Sequence, residues 1–107
     1  MATTEQEREQ ELLAHDISFL MSSEQGRRMV WRLLEAAQVY HTCFHDNALQ
    51  MARREGRREQ GLMLLDLVSN ITPNEFLTMQ QEALYERRER DARIRASGQS
   101  GDRHTAD

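Results

Sequence analysis

Residues 53–68 read RREGRREQGLMLLDLV, a charged half followed by an apolar half. Residues 53–60 carry no apolar side chain, whereas residues 62–68 are apolar at every position except Asp66. Apolar and polar residues do not alternate here, so the stretch is predicted to be a helix and not a strand. A single helix face cannot hold so many large apolar side chains. We therefore expect the second half to be buried on several sides, in the core or against another subunit.

Start signals for further helices lie on either side of this stretch. Four short segments place a Ser, Thr or Asn side chain where it can accept a hydrogen bond from the first turn of a helix. They begin at Thr4, Ser22, Asn47 and Thr72, and Pro73 suits the first position of the last helix. The sequence thus predicts an all-α protein, a small bundle of about four helices.

The chain has room for one domain. Residues 1–15 are predicted to form a polar helix start and residues 16–96 the helical domain. Residues 97–107 are rich in Gly, Ser, Asp and Thr, a composition that favours a flexible, disordered tail unless a partner orders it.

Apolar residues recur at helical spacing and predict the buried faces of the second and fourth helices. The first of these stripes comprises Val30, Leu33, Leu34, Ala37, His41 and Phe44, and the second comprises Phe76, Leu77, Gln80, Ala83 and Leu84. Val39 falls nearly opposite the centre of the first stripe, and Trp31 lies well off it. The sequence Gly-Arg-Arg occurs twice, which favours a close approach of two helices at Gly26 and Gly56.

The charge of the chain is unevenly spread. Every basic residue is Arg, and the net charge of −4 divides into −5 for residues 1–24, +3 for residues 25–60 and −2 for residues 61–107. A nucleic-acid-binding domain is normally clearly basic, overall or on one face. This charge pattern does not predict such a domain. A mildly basic centre between acidic ends favours charge pairing between subunits instead.

Potential metal ligands cluster at one place, at His41, Cys43, His45 and Asp46. His41 and His45 would share a helix face, as a zinc pair requires, but Cys43 would point elsewhere. No second ligand pair follows at the spacing of structural zinc sites. We therefore expect a core histidine and a turn here, with no metal and no other cofactor.

No pattern of catalytic residues stands out in the sequence. A Gly-rich phosphate loop and a nucleophile elbow are both absent, so we expect no enzyme and no catalytic residue. Cys43 is the single cysteine, which excludes an internal disulfide and favours a reducing compartment. Residues 5–11 are wholly polar, unlike a signal peptide, and no apolar run could span a bilayer. We expect a soluble protein without membrane contact.

Two groups of residues are candidates for a protein interface. Trp31 lies beside Arg27 and Arg28, and Trp with Arg is the composition typical of interface hot spots. Packing of another helix over Trp31 would explain its position equally well.

The second candidate group lies in the stretch 53–68. It joins the apolar side chains of Met63, Leu64 and Leu67 to the preceding polar anchors Arg57 and Arg58. The acids interleaved with these arginines also fit a solvated helix face, so a phosphate-binding role would need the arginines to converge in space.

Two longer segments have a familiar pattern. Residues 19–35 read FLMSSEQGRRMVWRLLE, and residues 55–65 read EGRREQGLMLL. They resemble a family of short proteins encoded in the structural gene modules of podovirus-like tailed bacteriophages, close to portal and capsid genes. The resemblance covers roughly residues 16–85 and neither tail.

The resemblance implies a virion or virion-assembly protein that is made in the host bacterial cytoplasm, and it transfers no catalytic residues. The partners it implies are other phage structural proteins of the portal, neck, tail or internal core, with further copies of this chain. Two alternatives stay open. One is a nucleic-acid-associated protein that contacts packaged DNA weakly through its arginine clusters, and the other is an assembly helper absent from the finished virion.

Overall fold

The chain folds into four helices. The computed structural model describes residues 4–39 and 47–105, with side chains described as far as Gly98. The helices are α1 (Glu5–Met21), α2 (Glu24–Ala36), α3 (Ala48–Ile71) and α4 (Pro73–Thr105). Neither described range contains a strand. The predicted all-α fold of about four helices is confirmed, while most side chains of the predicted tail lie outside the described residues.

Three of the predicted helix caps are formed by side chains. The Thr4 hydroxyl accepts a hydrogen bond from the Glu7 amide at 3.2 Å. The Ser23 hydroxyl accepts one from the third residue of α2 at 3.0 Å. The Asn47 side-chain oxygen accepts two from the first turn of α3, at 2.9 and 3.1 Å. Local sequence alone therefore determines where α1, α2 and α3 begin.

Thr72 is the single residue between α3 and α4, and its side chain has a different role from the predicted one. Its backbone N–H and its hydroxyl both donate to the Val68 carbonyl, at 3.1 and 2.8 Å. Thr72 is buried, so its hydroxyl donates to a carbonyl of the last turn of α3. The Thr72 carbonyl in turn accepts from the Phe76 amide at 2.8 Å, which starts α4. Thr72 thus closes α3 with its hydroxyl, where the sequence predicted a cap for α4.

The core is small and the body is thin. Its buried apolar residues are Ile17, Met21, Val30, Leu34, Val39, Val68 and Met79. The shortest extent of the Cα trace is 15 Å. Two packed helices account for that depth, since helix axes lie about 8–10 Å apart and each Cα cylinder has a radius of about 2.3 Å. The radius of gyration is 19.5 Å, against about 13 Å for a compact domain of this length.

The second helix ends earlier than its predicted stripe. α2 ends at Ala36, and Gln38 has φ of 56°, the left-handed region that turns the chain away from the helix. Val39 was predicted to face away from the core, and this turn brings it into the core instead. His41 and Phe44, the last two residues of the predicted stripe, lie outside the described residues.

The buried face of α4 is also displaced from the predicted stripe. Met79, which the stripe omitted, is fully buried, whereas Leu77 is 57% exposed. Phe76 and Ala83 are partly buried, as predicted. Every residue from 84 to 98 is exposed, so the second half of α4 projects from the core.

The apolar half of the stretch 53–68 is buried on several sides, as predicted, with one exception. Val68 is fully buried, and four further residues are partly buried and pack against the core: Leu62, Leu64, Leu65 and Leu67. Met63 is 61% exposed and is the exception.

The predicted close approach of α2 and α3 at Gly26 and Gly56 is wrong. A Cβ at Gly26 would overlap a backbone carbonyl near the end of α1, whereas a Cβ at Gly56 would meet nothing within 4 Å. The tight contact of α3 lies at Gly61, where a Cβ would overlap the side chains of Ala37 and Val39. The turn after α2 places those two side chains against Gly61, which the sequence pattern could not indicate.

Candidate interaction surfaces

Arg27, one of the predicted interface residues, joins α2 to α4 within the chain. Its Nε and Nη2 donate to the two carboxylate oxygens of Glu82 at 2.6 and 3.2 Å, and its Nη1 donates to the Met21 carbonyl at 3.0 Å. The hydrogen bond to Glu82 raises the pKa of the Arg27 guanidinium above its ordinary value, against the opposing effect of desolvation. Only 15% of the Arg27 side chain is exposed. The first role of Arg27 is therefore to hold the fold together.

Trp31 lies between core and surface. It is partly buried and packs against the core, which fits the interpretation that other helices cover it. Arg28, one turn earlier on α2, is exposed. A partner contact by Trp31 stays a prediction and concerns the part of the ring that the core leaves uncovered.

The second predicted group splits between surface and core. Arg57 and Met63 are exposed, and Arg58 is partly buried. Leu67 packs against the core, and Leu64 lies partly buried at the edge of an open groove. The structure thus brings two of the predicted residues, Arg57 and Leu64, to one surface feature.

That feature is a groove of ≈ 380 Å³ between the end of α2 and the middle of α3, here named the α2–α3 groove. Its walls are lined by Leu33, Ala36, Ala37, Arg57, Gln60, Gly61 and Leu64. Small residues and Leu side chains form most of this lining, and one cation lies at its edge. Such a surface suits the apolar face of a helix that also carries acidic residues.

A second, smaller pocket of ≈ 120 Å³ extends the basic edge of the groove. It shares Arg57 with the groove and adds Arg54, three residues earlier on α3 and so on the same helix face. Both arginines are exposed. The α2–α3 groove is therefore lined mainly by small and apolar residues, with Arg54 and Arg57 forming a basic rim beside it.

Sequence reasoning could have found only half of this groove. Arg57, Gln60, Gly61 and Leu64 follow helical spacing, which places them on one face of α3. The α2 side was missed because Leu33 was assigned to the core, whereas it is 55% exposed. Its exposure depends on how α2 lies against α3, which no local pattern specifies.

The side of α1 that faces away from the core carries a second apolar surface, also missed from the sequence. Leu12 is 51% exposed and Phe19 is 76% exposed, and the seven-residue spacing between them corresponds to two helical turns. Three exposed acids, Glu5, Glu9 and Asp16, lie along one edge of these two side chains. We name these five residues the outer face of α1.

The predicted cluster His41, Cys43, His45 and Asp46 lies outside the described residues. Within the described ranges, no group of three His, Cys, Asp or Glu side chains could hold a metal ion. In those same ranges, no helix has both the length and the apolar character needed to cross a membrane.

Comparison with known proteins identifies the family. A family model for the Bbp19-like phage protein matches residues 17–81, from the first core residue of α1 to the first half of α4. No curated protein and no solved structure matches the chain. The matched region contains all of α2 and α3, and with them the α2–α3 groove. The resemblance to a phage family is thereby confirmed, and this chain belongs to the Bbp19-like phage proteins.

Proposed function

We propose that this protein is a structural or assembly component of the bacteriophage virion. In this proposal it is present in several copies in the portal, neck or tail region or in the internal core of the head. It acts through contacts with other phage structural proteins and with further copies of itself, and it performs no catalysis.

The observation that carries the proposal is the balance between buried and exposed apolar side chains. Among the described residues, 7 hydrophobic residues are buried and 13 large hydrophobic residues are exposed. Scattered single exposed apolar residues are normal on a protein surface, but so many around so small a core leave apolar surface that neighbours in an assembly would cover. A protein that is covered by neighbours in an assembly has this balance.

The thin body and the family support the same proposal. A body two helices deep cannot bury both of its faces, and the second half of α4 adds an exposed arm. Membership of a phage protein family supplies the setting in which many copies of a short helical chain would be covered by neighbours.

The direct test is to find the chain in the particle. Mass spectrometry of purified mature virions and of empty precursor heads is expected to detect it in both, at a fixed number of copies per portal. Detection in precursor heads alone would favour an assembly helper. Absence from both would contradict the proposal.

A matched pair of variants sharpens this test. Met63 and Ile94 are 61% and 62% exposed, and only Met63 lies within the residues that the family model matches. Met63→Ser is expected to lower the number of copies per particle severalfold, because an apolar contact worth about 1–3 kcal/mol is lost. Ile94→Ser is expected to leave it unchanged. Equal copy numbers for the two variants would show that Met63 is not part of an interface.

Contact with packaged DNA through the arginine clusters is a second candidate function. Arg27 is held by Glu82, so it is not free to neutralise a phosphate. The exposed arginines of α3 and of the second half of α4 are the remaining candidates. Binding through them would weaken steeply with added salt, and no binding at low salt would remove this candidate.

A further inference from the structure

We propose that copies of this chain bind one another head to tail, with the outer face of α1 of one copy in the α2–α3 groove of the next. This inference rests on the proposed function, which supplies the multiple copies, and it specifies the surface through which they meet.

The first support is the match between apolar surfaces. Leu33 and Leu64 line the groove together with small residues, which let a helix approach closely. Among the described residues, Phe19 is the most exposed large hydrophobic side chain, at 76%, and Leu12 lies two turns away on the same face. These are the side chains that a helix-in-groove contact needs as anchors.

The second support is the match between charges. Arg54 and Arg57 form the rim of the groove, and Glu5, Glu9 and Asp16 flank the two apolar side chains of α1. Opposite charges around an apolar contact fix its register and disfavour wrong partners. Such a pairing also uses the uneven charge of the chain, in which residues 1–24 carry −5 and residues 25–60 carry +3.

The exposed part of α4 is a poorer occupant for the same groove. It also carries exposed apolar side chains, at Leu84 and Tyr85. The residues that follow, 86–95, contain five arginines and three acids, and this positive charge would face the basic rim. Like charges across an interface are destabilising, so the charges favour α1 over α4 as the occupant of the groove.

The contact joins two different surfaces, so it does not close on itself in a pair of copies. Head-to-tail contacts of this kind build rings when the rotation closes and open filaments when it does not. On each copy, one groove and one outer face serve two different neighbours.

Sedimentation of the purified full-length chain tests the inference. We expect association that increases with concentration and passes beyond the dimer. Glu9→Arg with Asp16→Arg, and separately Arg54→Glu with Arg57→Glu, should each raise the dissociation constant at least about tenfold, because like charges then face each other. Glu11→Arg is the matched control: Glu11 is exposed about 100° around α1 from Leu12, on the flank away from Glu9 and Asp16, and should change the constant less than about twofold.

Mixing the two double variants is the decisive experiment. In the mixture, the basic α1 of the first variant faces the acidic groove of the second. The unaltered acidic α1 of the second variant likewise faces the unaltered basic groove of the first. Each variant alone should sediment as a monomer, and the mixture should assemble. Because all the altered residues are exposed, helix content by circular dichroism should stay at the unaltered level, and Phe19→Ser gives an independent apolar variant if a charge variant does not fold.

Several outcomes would overturn the inference: a monomer at every concentration, a closed dimer, or a mixture that stays unassembled. Failure of the proposed function looks different. A chain that assembles as described but is missing from particles would keep the head-to-tail contact and lose the virion role. A monomeric chain found in particles would keep the virion role and lose the head-to-tail contact.

Discussion

The tripeptide Gly-Arg-Arg occurs at residues 26–28 of α2 and again at residues 56–58 of α3, and its two copies have opposite surroundings. Gly26 packs on the backbone of the preceding helix end, and Arg27 is paired with Glu82. A Cβ at Gly56 would have no neighbour within 4 Å, and Arg57 is exposed on the rim of the α2–α3 groove. The first copy holds helices together, and the second leaves Arg57 exposed at the surface. The same three residues thus acquire different roles from tertiary placement alone.

The largest expected difference between the two copies concerns the glycines. Gly26→Ala should lower the free energy of unfolding by about 3 kcal/mol, because its Cβ would overlap backbone that cannot rotate away. Urea unfolding of dilute protein, compared with the unaltered chain, measures the change. A loss below about 0.5 kcal/mol, the size of an ordinary surface substitution, would show that α1 can shift to make room.

The arginines should differ by a smaller amount. Arg27→Ala is expected to lower the free energy of unfolding by about 1.5 kcal/mol, since it removes a bidentate, partly exposed contact with Glu82. Arg57→Ala, the control in the second copy, should change it by less than about 0.5 kcal/mol. Thermal unfolding of both variants and of a Glu82→Ala partner tests the pairing: if Arg27→Ala costs as much in the Glu82→Ala background as alone, the pair contributes nothing.

The smallest expected effect has the opposite sign. Gly56→Ala should raise the free energy of unfolding by about 0.5–1 kcal/mol, because Ala favours an exposed helix interior and no neighbour obstructs its Cβ. The same urea experiment measures it. A destabilising result would mean that Gly56 has a close contact in solution, and the contrast with Gly26 would then disappear.

Much of the fold could be predicted because it depends on local sequence. The caps at Thr4, Ser23 and Asn47 are decided by residues within one helical turn. The end of α2 could not be predicted, since Gln38 adopts a left-handed conformation without the Gly that usually marks one. The true centre of the α4 stripe, Met79, depends on which side α2 occupies.

The candidate site was predicted less well than the fold, for a related reason. Arg57 and Leu64 were identified from composition, and both line the groove. Arg27 had the same composition around it, but its contact with Glu82 links residues 55 positions apart, which no local pattern can reveal. The outer face of α1 was missed because its two apolar side chains, Leu12 and Phe19, lie off the stripe that forms the core.

Thr72 has a mechanical consequence. Thr72 alone connects α3 to α4. The connection therefore has no further loop residues that could accommodate an insertion. One inserted residue there would rotate α4 by about 100° and move it by about 1.5 Å along its axis. The exposed side chains of the second half of α4 would then face another side of the molecule. The two hydrogen bonds from Thr72 to the Val68 carbonyl therefore help to set the direction of α4, together with the buried Met79 and the Arg27–Glu82 contact.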